Sequence, residues 1–106
     1  MTYQDISDII ASIGLQYAYY QFPEGTETEP PFICFYYSQR DDFHGDDSNY
    51  AKIETLNIEL YTDNKDFDME AKVEAALPWS FSKTEAYIDS ERLFETLYTM
   101  EVLING

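Results

Sequence analysis

The stretch IETLNIELYTDNKDFDMEAKVEAAL, residues 53–77, contains a predicted strand followed by a predicted helix. Apolar and polar side chains alternate over its first nine residues, which is the period-2 pattern of a half-buried strand. After a polar turn, apolar residues recur at the spacing of one helix face. These residues are Met69, Val73, Ala76 and Leu77. Asp66 is placed to cap the helix, and Pro78 prevents it from continuing. The strand and the helix are expected to share one core.

The rest of the chain adds one helix and four strands to this unit. A first helix is predicted over residues 2–13, where isoleucines recur at helical spacing; Thr2 is its expected N-cap and Gly14 its left-handed stop. The five strands are predicted over residues 15–22, 32–38, 50–61, 81–88 and 93–104. Two polar segments, PEGTETEPP at 23–31 and QRDDFHGDDSN at 39–49, are predicted to be loops.

The predicted element order is α-β-β-β-α-β-β, in a single domain over residues 1–106, because the length leaves no room for a second domain. With antiparallel connections throughout, the simplest arrangement is an α+β fold: a mainly antiparallel sheet of about five strands with two helices on one face. The opposite sheet face is rich in Tyr, Thr and Glu. It is expected to meet solvent or a partner.

Six basic and 21 acidic residues give the chain a formal charge of −15. This charge disfavours contact with nucleic-acid phosphates and with anionic membranes. It fits high solubility, a basic partner or a surface that repels DNA. The N-terminus lacks a basic region followed by an apolar core, and no apolar run has the roughly 20 residues that cross a bilayer. We therefore expect a soluble protein made in a reducing cytoplasm, with no specific nucleic-acid binding and no membrane contact.

The sequence contains no motif of a known catalytic site. It has no Gly-rich phosphate loop, no C-x-x-C, no H-E-x-x-H and no G-x-S-x-G. Any two of its carboxylates would serve a glycosidase mechanism, and the sequence singles out no pair. Cys34, the only cysteine, lies in the apolar run 32–37 and is expected to be a buried hydrophobe rather than a nucleophile. We predict that the protein is not an enzyme and has no catalytic or cofactor-binding residues.

The two predicted acidic loops are the candidate interaction segments. Their candidate residues are Glu24, Glu27 and Glu29 in the first loop, and Asp41, Asp42, His44, Asp46 and Asp47 in the second. Carboxylates beside a histidine suit manganese or zinc, and carboxylates alone suit calcium. The spacing does not match an EF-hand, however, and a solvated acidic loop explains the same residues. We predict no bound metal and no cofactor.

Two segments in the second half of the chain have a distinctive amino-acid sequence. IELYTDNKDFDMEAKVEAAL at 58–77 is followed by KTEAYIDSERLFETLYTMEVLI at 83–104, and the first half contributes PEGTETEPPFIC and a DDF segment. The most characteristic positions are 59–62, 70–77, Glu85, Tyr87, Ile88, Ser90, Glu91 and 98–102. Over nearly its whole length the chain resembles the small tail terminator (tail completion, head–tail joining) proteins of tailed phages and prophages that infect Gram-positive bacteria.

That resemblance implies a structural virion protein. An α/β subunit of this kind assembles as a hexameric ring on the phage tail tube, stops tube polymerisation and docks the head connector. The implied partners are the tail tube protein, the head connector proteins and further copies of the chain. The implied location is the virion tail or neck, after virion assembly in the host cytoplasm. The loops 23–31 and 39–49 would reach between subunits. The loop 39–49 is the first candidate to face the acidic lumen, and the alternative is that it faces outward as a solvated loop. No binding residue is carried over from the family.

Two other functions fit the same sequence. One alternative is that the chain is another component of the phage neck, such as a head-completion protein. The other is an acidic DNA mimic that inhibits a DNA-binding host protein, for which a charge of −15 is suitable. A mimic requires carboxylates spread along one face at phosphate-like intervals, whereas the acids here cluster in predicted loops and alternate with aromatic residues in strands.

Overall fold

The computed structural model of the protein describes residues 1–44 and 50–105. Two helices and five strands follow one another in the predicted order. They are α1 (Tyr3–Ala11), β1 (Gln16–Tyr19), β2 (Phe32–His44), β3 (Tyr50–Thr62), α2 (Phe67–Ala76), β4 (Ser82–Ile88) and β5 (Leu93–Ile104). Within β2 and β3, the side chains of Phe43, His44 and Tyr50 lie outside the description.

The five strands form one sheet in the order β1-β2-β3-β5-β4. The pairs β2–β3, β3–β5 and β4–β5 are antiparallel, whereas β1 and β2 are parallel. The predicted α+β class with a mainly antiparallel five-stranded sheet is therefore confirmed. The expectation of antiparallel connections throughout is wrong at β1.

The parallel pair depends on the segment between β1 and β2. Parallel strands require a connection of about a dozen residues that returns the chain to the same end of the sheet. Residues 20–31 supply that length between Tyr19 and Phe32. Tyr20, at φ 70°, turns the chain out of the sheet, and its N–H still donates to the Phe35 carbonyl at 2.7 Å.

The predicted loop at 39–49 is wrong over its first half. Residues 39–44 continue β2, and each pairs with β3, from Gln39 opposite Thr55 to His44 opposite Tyr50. The register shifts between Tyr37 and Gln39, which leaves Ser38 as a bulge. Cross-strand pairing thus overrides the weak strand propensity of the Asp residues, because polar side chains at an exposed strand lose little hydration.

Both helices begin as the sequence predicts. The Thr2 side chain accepts from the Asp5 N–H at 3.1 Å, and the Asp5 carboxylate accepts from the Thr2 N–H at 2.8 Å, which completes a capping box. Asp66 accepts from the Met69 N–H at 3.0 Å at the start of α2. α1 ends at Ala11, two residues before the predicted end, and Gly14 adopts φ 91° in the turn that follows.

The core lies between the helices and one face of the sheet. The predicted inward residues of β3 (Leu56, Ile58 and Leu60) have no exposed area, and neither has Val73 of α2. Ile6 and Ile10 of α1 belong to the same cluster, which also includes Tyr98 and Met100 of β5. One cluster containing both helices confirms that they pack on the same face. We call the opposite sheet face the open face.

The molecule is longer than an ordinary domain of its size. Its radius of gyration is 15.1 Å, against about 13 Å for a compact domain of this length. The principal extents are 51 × 29 × 24 Å. β2 and β3 have 13 residues each, and at about 3.3 Å per residue a strand of that length is about 43 Å long. The long β2–β3 pair therefore sets the long axis.

Candidate interaction surfaces

The outer edge of β2, which we define as residues 38–44, is uncovered. β1 pairs with β2 only from Phe32 to Phe35, so it ends before this segment begins. Among the described residues, no backbone hydrogen bond reaches 38–44 from the side away from β3. An edge of this kind presents unpaired N–H and C=O groups to an incoming strand.

The candidate residues of the second acidic segment lie on this edge or outside the described chain. Asp41 is exposed and accepts from the Gln39 amide at 3.1 Å. Asp42 accepts from the Arg40 guanidinium, at 2.7 Å from Nε and 3.0 Å from Nη2. His44 is placed by its backbone alone, at the end of β2. The candidates Asp46 and Asp47 lie outside the described residues.

The first acidic segment packs against the open face instead of extending away from the domain. Phe22 meets Phe32 edge-on, with ring centroids 5.5 Å apart, and Phe32 stacks on Tyr61 at 4.9 Å. These rings line a cavity beneath residues 20–26, which also contacts the buried Cys34. The candidates Glu24, Glu27 and Glu29 are exposed on this segment. The segment is therefore anchored to the open face through Phe22, while its carboxylates are exposed to solvent.

Two glutamates lie side by side on the open face near that cavity. Glu59 pairs with Leu97 and Glu95 with Tyr61, which makes the two carboxylates diagonal neighbours on one face. Burial raises the pKa of the Glu59 carboxyl to about 7, and the Glu95 charge and hydrogen bond add to the rise. Cys34 is buried, as predicted, and this burial raises the pKa of its thiol to about 11.

Replacing Glu59 should change how stability depends on pH. The folded-state pKa of Glu59 is raised, so the stability due to its neutral form is complete below pH 4.5 and is lost as pH rises through about 7. Glu59→Gln keeps the group neutral. Above pH 7 it should exceed the wild type in free energy of unfolding by about 1 to 2 kcal/mol, after allowance for solvent screening.

The matched control for this prediction is Glu101→Gln, which removes one charge from the exposed end of the same face of β5. Thermal unfolding across pH measures both variants. The control should track the wild type, and the Glu59→Gln advantage should vanish below pH 4.5. Equal pH profiles for the two variants would contradict the assignment of the raised pKa to Glu59.

A buried ion-pair cluster joins α2 to the β4 side of the sheet. The Glu70 side chain, 3% exposed, lies 2.7 Å from the Lys65 Nζ and 2.7 Å from the Lys83 Nζ. Lys83 also contacts Glu74 at 2.9 Å, and the Tyr98 hydroxyl donates to the same Glu74 carboxylate at 2.8 Å. The cluster ties α2 to β4 and β5, so it holds the last strand of the sheet in place.

β4 forms the second uncovered edge of the sheet. Among the described residues it pairs with β5 alone, through a regular register from Ser82 to Ile88. Six of its seven residues are exposed. Tyr87 of β4 is 49% exposed, and Phe67 at the start of α2 is 71% exposed. The sheet thus ends in free edges on both sides.

Sequence reasoning missed the residues that build these surfaces. Glu70 lies in the first turn of α2, yet it is buried and contacts two lysines, one from a turn and one from β4. Glu59 was assigned correctly to the polar side of β3, but its neighbour Glu95 depends on the β3–β5 register. For Glu70, the available sequence signal was its i, i+4 spacing from Glu74, because both carboxylates contact Lys83.

The sequence matches no protein-family model and no curated protein. Within residues 1–44 and 50–105, no helix has the length and apolar character needed to cross a membrane. In the same ranges, no three His, Cys, Asp or Glu side chains are grouped in a way that would hold a metal ion.

Proposed function

We propose that this chain is a tail terminator subunit of a tailed phage, which forms a ring on the tail tube and docks the head connector. The observation that carries the proposal is the pair of uncovered edges, at β4 and at the outer edge of β2, on opposite sides of one sheet. Free edges at both sides suit a subunit that is joined to a neighbour on each side. The resemblance of residues 58–77 and 83–104 to tail terminator proteins supports the same function.

The charge of the chain also suits a ring through which DNA passes. With a formal charge of −15, the surface repels DNA at close range and so reduces sticking. The exposed carboxylates of Glu24, Glu27 and Glu29 lie on an anchored segment, where they can line a lumen or an intersubunit surface.

A DNA mimic is less well supported by the arrangement of the acids. Several carboxylates that would need to be free are neutralised by the chain itself. Glu70 and Glu74 contact Lys83, and Asp42 contacts Arg40. The DNA-mimic function also does not account for the two uncovered sheet edges. A head-completion role remains the nearest alternative, since it makes the same use of edges and charge.

Polymerisation of the tail tube protein offers a direct test. We expect the purified chain to arrest tube growth and to appear by electron microscopy as a ring at one end of each tube. Tubes that grow to the same length with and without the chain would contradict the proposal. Displacement of DNA from a host DNA-binding protein by the chain, at matched concentration, would favour the mimic instead.

A further inference from the structure

We infer that copies of this chain join through their sheets, with β4 of one copy pairing antiparallel with the outer edge of β2 in the next. The inference rests on the proposed ring and specifies its contact. Both halves of the contact are present on every chain, on opposite edges of one sheet. The same contact therefore repeats from copy to copy in a head-to-tail manner, which closes into a ring when the rotation allows it.

The lengths of the two edges agree. β4 has seven residues, and the outer edge of β2, residues 38–44, has seven as well, so a shift of one residue between them still leaves six cross-strand pairs. The four residues of β1 are too few to accommodate β4. No proline, bulge or covering element protects β4 among the described residues, although proteins usually blunt an exposed edge.

The strand directions favour antiparallel pairing. β2 and β5 run the same way, because each is antiparallel to β3, and β4 runs opposite to β5. β4 therefore runs opposite to β2 within one copy. When copies are related by rotation about a ring axis, β4 of one copy still runs opposite to β2 of its neighbour, which gives the more stable type of ladder.

The charges select one register. On the helix side of the sheet, the outer edge of β2 carries Arg40 and Asp42, and β4 carries Lys83 and Glu85. An antiparallel ladder that places Arg40 opposite Glu85 places Asp42 opposite Lys83, so both cross-strand pairs are of opposite charge. A parallel ladder that pairs the same four residues would set Arg40 beside Lys83 and Asp42 beside Glu85, both of like charge. Cross-strand pairs of opposite charge stabilise a sheet, whereas like charges destabilise it.

These charged groups are partly exposed despite their own ion pairs. The side chains of Arg40 and Glu85 are 45% and 43% exposed, and those of Lys83 and Asp42 are 34% and 29%. Each can thus reach across to a neighbouring strand. On the open-face side the same register sets Asp41 opposite Thr84, with no second charge there. On the helix side, it sets the half-exposed Tyr87 opposite the bulged residue Ser38, beside the packed rings of Tyr19 and Tyr37.

Engineered cysteines test this register directly. Residues directly opposed in an antiparallel ladder have Cα atoms about 4.5 to 5.5 Å apart, within the range of a disulfide. A chain carrying Asp41→Cys and Thr84→Cys, oxidised in a glutathione buffer, should give a ladder of disulfide-linked oligomers on a non-reducing gel. Both sites are exposed, and the native Cys34 is buried with its pKa raised to about 11, so it stays out of the reaction.

Single variants supply the controls. Mixing the Asp41→Cys chain with the Thr84→Cys chain should give a mixed dimer, and neither chain alone should dimerise. Pairing Asp41→Cys with Glu85→Cys, which points to the opposite face, should crosslink much less. Dimers of Thr84→Cys alone would indicate a two-fold β4–β4 contact and overturn the inference, as would the absence of any crosslink. Either result beside tube arrest by the wild type would refute the edge pairing and leave the proposed function standing.

Discussion

Val73→Asp is expected to abolish cooperative unfolding of the domain. Val73 has no exposed area in α2 and contacts the core shared with the sheet. A carboxylate there has no cationic partner within the apolar cluster, so its burial costs about 5 kcal/mol or more, which approaches the whole stability of a small domain. Circular dichroism during thermal unfolding measures the loss.

The control for this prediction is Ala75→Asp, two residues along the same helix at an exposed position. It adds the same charge while leaving the core intact, and its helix propensity cost of about 0.7 kcal/mol exceeds that of Val73→Asp, because Ala is the better helix former. A cooperative transition for Ala75→Asp, slightly below that of the wild type, together with none for Val73→Asp is the expected pair of results. A wild-type transition for Val73→Asp would show that α2 does not pack on the sheet through this residue.

Glu70→Gln is expected to lower the free energy of unfolding by about 2 to 3 kcal/mol. The substitution keeps the volume of the side chain but removes the charge between Lys65 and Lys83, each 2.7 Å from a Glu70 oxygen. Breaking a buried ion pair leaves uncompensated charge, although the partial exposure of both lysines moderates the cost. Chemical denaturation of both proteins measures the difference.

The pH dependence gives an independent check on Glu70. Burial favours its neutral form, but hydrogen bonds from Lys65 and Lys83 outweigh burial and lower its pKa. The stability from this lowered pKa is present above pH 4.5 and is lost as pH falls through the lower folded value. Glu70→Gln should therefore lose less stability than the wild type in this acid range.

Glu85→Ala, which removes a half-exposed partner of Lys65, should cost less than about 1 kcal/mol. An equal cost for both variants would contradict the special role of the buried glutamate.

The order of elements and the faces of the long strands followed from local patterns. Leu56, Ile58 and Leu60 alternate with polar residues, and an exact period of two leaves only one way to face them inward. Capping at Thr2 and Asp66 was predictable for a similar reason, since each side chain bonds within its own helix turn. Features that depend on neighbours along the chain were thus accessible from the sequence.

Features that depend on which strands become neighbours were not accessible in this way. The parallel placement of β1 beside β2 is decided by tertiary packing, and the length of residues 20–31 was the only local sign of it. The extension of β2 through Asp41 and Asp42 requires the ladder with β3. The proximity of Glu59 to Glu95, and of Glu70 to Lys83, likewise exists only once β5 and β4 have taken their places.

Electron microscopy of particles from a phage that encodes this chain, with its gene deleted, tests the proposed function most directly. We expect headless tails of irregular and often excessive length beside DNA-filled heads, and normal virions when the gene is supplied in trans. Tails of normal length that fail to join heads would assign the chain to another position in the neck. Intact virions of normal infectivity would contradict the structural role and leave the DNA mimic as the better account.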